Sequence, residues 1–117
     1  MSNIITLYGI PHCDTVKKSR AWFDAQGKPY QFHDFKKQGV PEAGLREWVR
    51  ALGWEALVNK KGTTWRQLDA AAQVAVVDDE SAIALMLANN SVIKRPVVQV
   101  QGLLTVGYQP EAWLARL

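Results

Sequence analysis

The one cysteine of this 117-residue chain, Cys13, lies where a strand is predicted to end and a helix to begin. The run from Ile4 to Tyr8 is β-branched, aliphatic and aromatic, as in a buried strand, and the Gly and Pro that follow mark a loop. Asp14 and Thr15 are good helix-capping residues, and apolar positions then recur at helical spacing. A thiolate at a helix N-terminus is stabilised by free backbone N–H groups and the helix dipole. The pattern favours a reactive cysteine over a buried structural one.

Basic side chains around Cys13 strengthen this interpretation. Lys17 and Lys18 lie within one predicted helical turn, and His12 is the immediate neighbour in sequence. All three can add positive potential, although Asp14 opposes them. We therefore expect thiolate chemistry, in which Cys13 is the nucleophile.

The composition argues against other kinds of site. One Cys and two His cannot supply the three or four soft ligands of a zinc site, so we expect no metal. A single cysteine cannot form an internal disulfide, so any disulfide must involve a second molecule. The net charge is +3, and the basic residues are scattered in pairs, whereas a nucleic-acid-binding protein gathers them on one face.

No apolar run is long enough to cross a membrane, and Met1–Asn3 lead directly into the first predicted strand with no signal peptide before it. We therefore expect a cytoplasmic protein that binds neither membranes nor nucleic acid directly. The length and the ordinary globular composition predict a single domain over residues 1–117.

The order of predicted elements defines the fold class as α/β. Tyr30–Phe35 is a second strand, and the helix before it is long enough for a right-handed crossover, so the first two strands should be parallel. Residues 36–40 are predicted to be a loop, and the chain is mainly helical over about residues 38–90. Within that stretch, Thr63 and Thr64 can cap a short helix that runs through Asp69, and Asp78 or Asp79 starts a further helix. Val97–Val100 and Leu103–Tyr108 then form an antiparallel hairpin, and Pro110 opens a last helix. This βαβ and ββα order resembles the thioredoxin fold, with a four-stranded mixed sheet in the order 2-1-3-4 and a helical insertion between its halves.

Four stretches carry a closer resemblance, to the YffB subgroup of the arsenate reductase-like (ArsC/Spx) family. They are Gly9–Lys18, Leu52–Asn59, Gly62–Arg66 and Ile93–Pro96. The resemblance covers essentially the whole chain and implies a cis proline at the start of the third strand, beside the cysteine. It also implies chemistry: the family's arsenate reductases attack arsenate with one cysteine, and glutathione and glutaredoxin complete the cycle. The family's Spx members bind RNA polymerase and sense disulfide stress.

The resemblance assigns roles to individual residues. Cys13 falls on the family's nucleophile, and Arg95 falls on the arginine that precedes the cis proline, Pro96. A second oxyanion-binding arginine is replaced by Asn59, for which Lys60 is a partial substitute. Another missing arginine falls near Gly107, and Val16 and Lys17 stand where the reductases have Ser and Arg. Val16 also stands where Spx proteins carry the second cysteine of a Cys-x-x-Cys pair.

These features predict a glutathione-dependent single-cysteine thiol reductase that acts through a mixed disulfide at Cys13. Glutathione is the expected co-substrate, with no bound cofactor, and an oxidised thiol or mixed disulfide is the substrate. Arg95, Lys17, His12 and Pro96, together with Asn59 and Lys60, are the predicted substrate and glutathione-binding residues. Glutaredoxin is a further expected partner, and the expected state is a monomer. An arsenate or related oxyanion reductase and a non-enzymatic, Spx-like partner-binding regulator are the alternatives.

Overall fold

The computed structural model describes residues 4–117, and its central element is a four-stranded mixed sheet. The strands are β1 (Thr6–Gly9), β2 (Gln31–Asp34), β3 (Val97–Val100) and β4 (Leu103–Val106). They lie in the order β2-β1-β3-β4. β1 is parallel to β2, whereas the β1–β3 and β3–β4 pairs are antiparallel. The predicted strand order is confirmed, and the sheet is thioredoxin-like.

Eight helices and one 3-10 turn accompany the strands in the described residues. The helices are α1 (Asp14–Ala25), α2 (Phe35–Gln38), α3 (Glu42–Leu52), α4 (Trp54–Leu57), α5 (Thr63–Gln67), α6 (Ala70–Val74), α7 (Asp79–Ala88) and α8 (Pro110–Leu114), and the 3-10 turn is Asn90–Val92.

The chain forms two compact units. The first contains the described residues up to Gln38 together with Arg95–Leu117, and thus all four strands with α1, α2 and α8. The second, Gly39–Lys94, contains helices α3–α7 and the 3-10 turn. The chain between β2 and β3 is therefore helical. That residues 1–117 form one domain stays a prediction, and the interpretation of Met1–Asn3 lies outside the described residues.

A cluster of buried apolar side chains in the first unit lies on one face of the sheet. Leu7 of β1 and Val98 of β3 are partners in the strand register, and both are fully buried. Phe23 of α1 and Trp113 of α8 cover them and are themselves fully buried. The indole N–H of Trp113 donates a hydrogen bond of 2.8 Å to Oγ1 of Thr105 on β4. Burial of these large apolar groups fixes α1 against the sheet.

The second unit has its own buried apolar groups. Trp48 of α3 and Met86 of α7 are buried, and these two helices are in contact. α7 begins with a capping box, in which Asp78 accepts from the Ser81 N–H and the Ser81 hydroxyl accepts from the Asp78 N–H. The predicted start of this helix is thereby confirmed.

Some local predictions are wrong, and side-chain hydrogen bonds explain two of them. Residues 36–40 were expected to be a loop, but Phe35–Gln38 is a helical turn. Asp34 initiates it by accepting a 2.8 Å bond from the Lys36 N–H, while Oε1 of Gln38 accepts from the Asp34 N–H. The helix expected from Thr63 through Asp69 is divided, because Asp69 instead caps α6 by accepting from the Ala72 N–H.

Candidate functional site

Cys13 is the N-cap residue of α1. Its backbone is extended, with φ −91° and ψ 126°, and its carbonyl oxygen accepts a 2.9 Å bond from the Lys17 N–H. The side chain makes no capping hydrogen bond and is partly exposed. Asp14 and Thr15, predicted as caps, instead lie inside the first helical turn. The sulfur therefore lies at the positive end of a 12-residue helix, where a thiolate is stabilised.

Three basic residues near Cys13 in sequence have exposed side chains. His12 precedes the helix and Lys17 lies in its first turns, as predicted. Lys18 has a different environment, because its Nζ lies 4.4 Å from the ring centroid of Tyr108. This cation–π contact joins α1 to the segment between β4 and α8, and no pattern in the sequence indicates it.

Arg95 and Pro96 lie next to the strand that leads to Cys13. The Arg95–Pro96 peptide bond is cis, which confirms the expectation for this position. Pro96 immediately precedes β3, and its carbonyl oxygen accepts a 2.8 Å bond from the Gly107 N–H. A Cβ added to Gly9, the last residue of β1, would lie 3.8 Å from the Cβ of Arg95. The Nε of Arg95 is buried, so part of the guanidinium is enclosed by protein.

The backbone at Gly107, near which the reductases carry another arginine, disfavours a side chain. Gly107 has φ +84°, in the left-handed region that favours glycine. A side chain there is strained, by roughly 1–2 kcal/mol for a residue other than Gly.

Asn59 and Lys60 lie together in the second unit. Oδ1 of Asn59 accepts a 3.2 Å bond from the Lys61 N–H, which fixes the orientation of the amide. The Nζ of Lys60 lies 5.3 Å from the Trp54 ring centroid and 5.5 Å from that of Trp65. Lys60 is thus engaged by two indole rings, which the sequence did not indicate. The role of both residues toward a substrate stays a prediction.

A cavity of about 270 Å³ adjoins this turn of the second unit. Its lining residues include Asn59 and Lys60 with two further lysines, Lys61 and Lys94. The Lys94 N–H donates a 2.7 Å bond to the Leu57 carbonyl, which brings position 94 to the same turn. No sequence pattern links positions so far apart in the chain, and so Lys61 and Lys94 were missed.

Neither a metal cluster nor a membrane span is found in residues 4–117. No group of three or more His, Cys, Asp or Glu side chains there could hold a metal ion. None of the helices described above is long and apolar enough to cross a membrane.

Comparison with known proteins gives close relatives of known structure. A solved YffB protein is 46% identical, with a TM-score of 0.90, over 97% of this chain and 98% of its own. A solved arsenate reductase (ArsC) related protein from Brucella melitensis is 43% identical, with a TM-score of 0.75, over 98% of this chain and 95% of its own. These likenesses span nearly all of both chains.

Relatives known by sequence extend the comparison. A protein of Haemophilus influenzae is 34% identical over 112 residues, which cover 96% of this chain and 97% of its own. The global transcriptional regulator Spx of Listeria innocua is 22% identical, over 92% of this chain and 82% of its own. A family model described as the ArsC family matches residues 8–116. The chain therefore belongs to the ArsC family.

Proposed function

We propose that this protein is a glutathione-dependent thiol reductase in which Cys13 is the nucleophile. One observation carries the proposal: the only cysteine of the chain caps α1 and leaves its side chain partly exposed and free of any capping bond. A sulfur that served only packing would be enclosed in the core. Membership of the ArsC family and the likeness to an arsenate reductase related protein support reductase chemistry of this general kind.

The reaction proceeds in two thiol–disulfide exchanges. The Cys13 thiolate attacks the glutathione sulfur of a glutathionylated substrate, so a Cys13–glutathione disulfide forms and the substrate disulfide breaks. The substrate sulfur leaves as a thiolate with the electron pair and takes a proton from solvent. A glutathione thiolate then attacks the mixed disulfide, which regenerates the Cys13 thiolate and releases glutathione disulfide. One free glutathione thiol is thereby oxidised for each substrate thiol released, because the other sulfur of the glutathione disulfide comes from the substrate.

The surrounding residues would hold the reacting groups. The exposed charge of Lys17 attracts the carboxylates of an anionic ligand such as glutathione, and the exposed imidazole of His12 can form a hydrogen bond to the same ligand. Arg95, next to the end of β1, offers donors in a planar fork that suits a carboxylate or a thiolate, and Pro96 would shape the groove. The resemblance also points to Asn59 and Lys60, in the second unit, as residues that bind substrate or glutathione. The same proposal includes glutaredoxin as a partner and a monomeric state. It also includes a location in the cytoplasm, where glutathione is reduced.

The residues present favour thiol exchange over the reduction of arsenate. A tetrahedral oxyanion needs several donors in fixed geometry, and a lysine is not an equivalent replacement for arginine in that role. The chain has Lys17 and Asn59 where the reductases carry arginines, and the backbone at Gly107 disfavours a third. The likeness to Spx keeps a partner-binding role as the alternative, although Val16, fully buried, stands in place of the second Spx cysteine.

A coupled assay tests the proposal. Wild-type protein and Cys13→Ser are each mixed with glutathione, a glutathionylated peptide, glutathione reductase and NADPH, and NADPH oxidation is followed. We expect turnover that needs both peptide and wild-type protein, and none with Cys13→Ser. Lys17→Ala should raise the KM for the peptide, whereas Lys28→Ala, which removes an exposed charge beyond the other end of α1, should not.

The outcomes separate the alternatives. Peptide turnover that survives Cys13→Ser, or no turnover with either protein, would refute the proposal. Arsenate-dependent NADPH oxidation in the presence of glutaredoxin would instead support an arsenate reductase. A cellular phenotype that Cys13→Ser fully complements would support the partner-binding role.

A further inference from the structure

We propose that Gly9 is a positioning residue for the site at Cys13. Because glycine has no side chain, the end of β1 can pack closely against both the first turn of α1 and Arg95. This packing fixes the position of one relative to the other. The inference rests on the proposed function, because it assumes that the position of the Cys13 sulfur relative to Arg95 matters for its reactivity.

The backbone conformation does not explain a glycine at this position. Gly9 is the last residue of β1, is paired with Asp34 of β2, and is not among the glycines with positive φ. Any residue could adopt its backbone conformation. The reason for glycine must therefore be space.

The space around Gly9 is closed by the helix that carries Cys13. A Cβ at position 9 would lie 2.8 Å from Cγ2 of Val16, closer than real Cβ atoms approach other atoms. It would also lie 3.8 Å from the Cβ of Arg95, in ordinary van der Waals contact. Gly9 thus lies against both the first turn of α1 and the residue before Pro96.

The crowded side chain cannot simply rotate away. Val16 is fully buried and β-branched, so its χ1 angle is nearly fixed within a helix. Relief of the contact requires the first turn of α1 to move by roughly 0.6 Å, which would bring the two carbons to the 3.4 Å limit of ordinary contact. Cys13 is the N-cap of that turn and would move with it, whereas Arg95 precedes β3 and is not part of the helix.

The test compares Gly9→Ala with wild type by the rate of iodoacetamide alkylation of Cys13 as a function of pH, and by the rate of exchange with glutathione disulfide. We expect the alkylation profile of Gly9→Ala to shift to higher pH and its exchange rate to fall about tenfold, since a displacement of 1 Å can cost a hundredfold. The double variant Gly9→Ala/Val16→Ala removes both γ-methyl groups and should restore the profile and the rate. Gly44→Ala, a glycine of α3 whose added Cβ would lie 3.3 Å from Pro41, is the matched control and should leave both unchanged.

Each outcome bears on the proposal. A Gly9→Ala protein that is less stable in urea but keeps the alkylation profile and the exchange rate of the wild type would overturn the proposal. Gly9 would then contribute to stability alone. If Gly9→Ala does not fold, the double variant decides: wild-type reactivity supports the proposal and altered reactivity refutes it. Alkylation needs no substrate, so the test holds even if wild-type protein shows no reductase turnover, which would be a failure of the proposed function alone.

Discussion

The hydrogen bond between Trp113 and Thr105 offers a sharp test of the core of the first unit. The Trp113 side chain is fully buried, and its indole N–H donates to Oγ1 of Thr105 at 2.8 Å. Thr105 is only half-buried, so its hydroxyl can turn to water, whereas the indole has no such choice. The donor is buried and the acceptor is not. Replacing Thr105 and replacing Trp113 should therefore lower the free energy of unfolding by different amounts.

Thr105→Val keeps the shape of the side chain and its preference for a strand, but it leaves the buried indole N–H without an acceptor. A buried donor without a partner costs about 1–3 kcal/mol. For a chain of 117 residues, 1 kcal/mol corresponds to about 4 °C in melting temperature, so we expect a decrease of about 4–12 °C. Once Trp113→Phe has removed the donor, Thr105→Val should cost almost nothing further.

The measurement is a thermal melt and a urea titration of the wild type, both single variants and the double variant, followed by far-UV circular dichroism. Thr6→Val, which changes a half-buried threonine of β1, is the matched control and should melt close to the wild type. A Thr105→Val protein as stable as this control would contradict the reasoning. So would a double variant whose loss equals the sum of the two single losses.

Three further predictions concern the caps and contacts around the core and site. The capping bonds from Ser81 lower the pKa of Asp78, so the stabilisation of the protein by this carboxylate should be complete above the unfolded pKa of about 3.9 and be lost as the pH falls through the lower folded pKa. The difference in free energy of unfolding between wild type and Asp78→Ala, measured in urea, should therefore become smaller below pH 4. A difference that does not depend on pH would refute this. Lys18→Met and Tyr108→Leu should show a coupling energy of about 0.5–1 kcal/mol in a double-mutant cycle, which high salt should reduce; zero coupling would mean that the contact is not stabilising. Gly107→Ala should destabilise the protein by roughly 1–2 kcal/mol in the same titration because of its positive φ, and an unchanged midpoint would contradict that reasoning.

The sheet could be predicted from the sequence because its signals are local. Apolar runs bounded by Gly and Pro marked the strands, and the short turn before Leu103 required an antiparallel hairpin. The errors lie where one polar side chain decides between a loop and a helix. Asp34 and Asp69 each start a helical turn by accepting a backbone N–H, and either residue is equally common in a loop.

The candidate site could be predicted only where residue type alone is informative. The sequence singles out Cys13 because a lone cysteine before a helix has few uses, and the resemblance points to Arg95 and Pro96; their roles stay predictions. The ring contact of Lys18 and the crowding at Gly9 are set by tertiary distances, which have no period or motif in the sequence. The same holds for the lysines near Asn59, which share a cavity through a bridge between Val58 and Ile93.

The fully buried valine three positions after Cys13 has a consequence for how the oxidised protein can be recognised. Position 16 is closed to solvent and holds no sulfur, so the protein cannot store the disulfide within itself. Every molecule oxidised by exchange must carry its partner covalently. The intact mass of the oxidised protein therefore identifies the partner. Mass spectrometry of the protein isolated from cells under acid quench would show which thiols form disulfides with it.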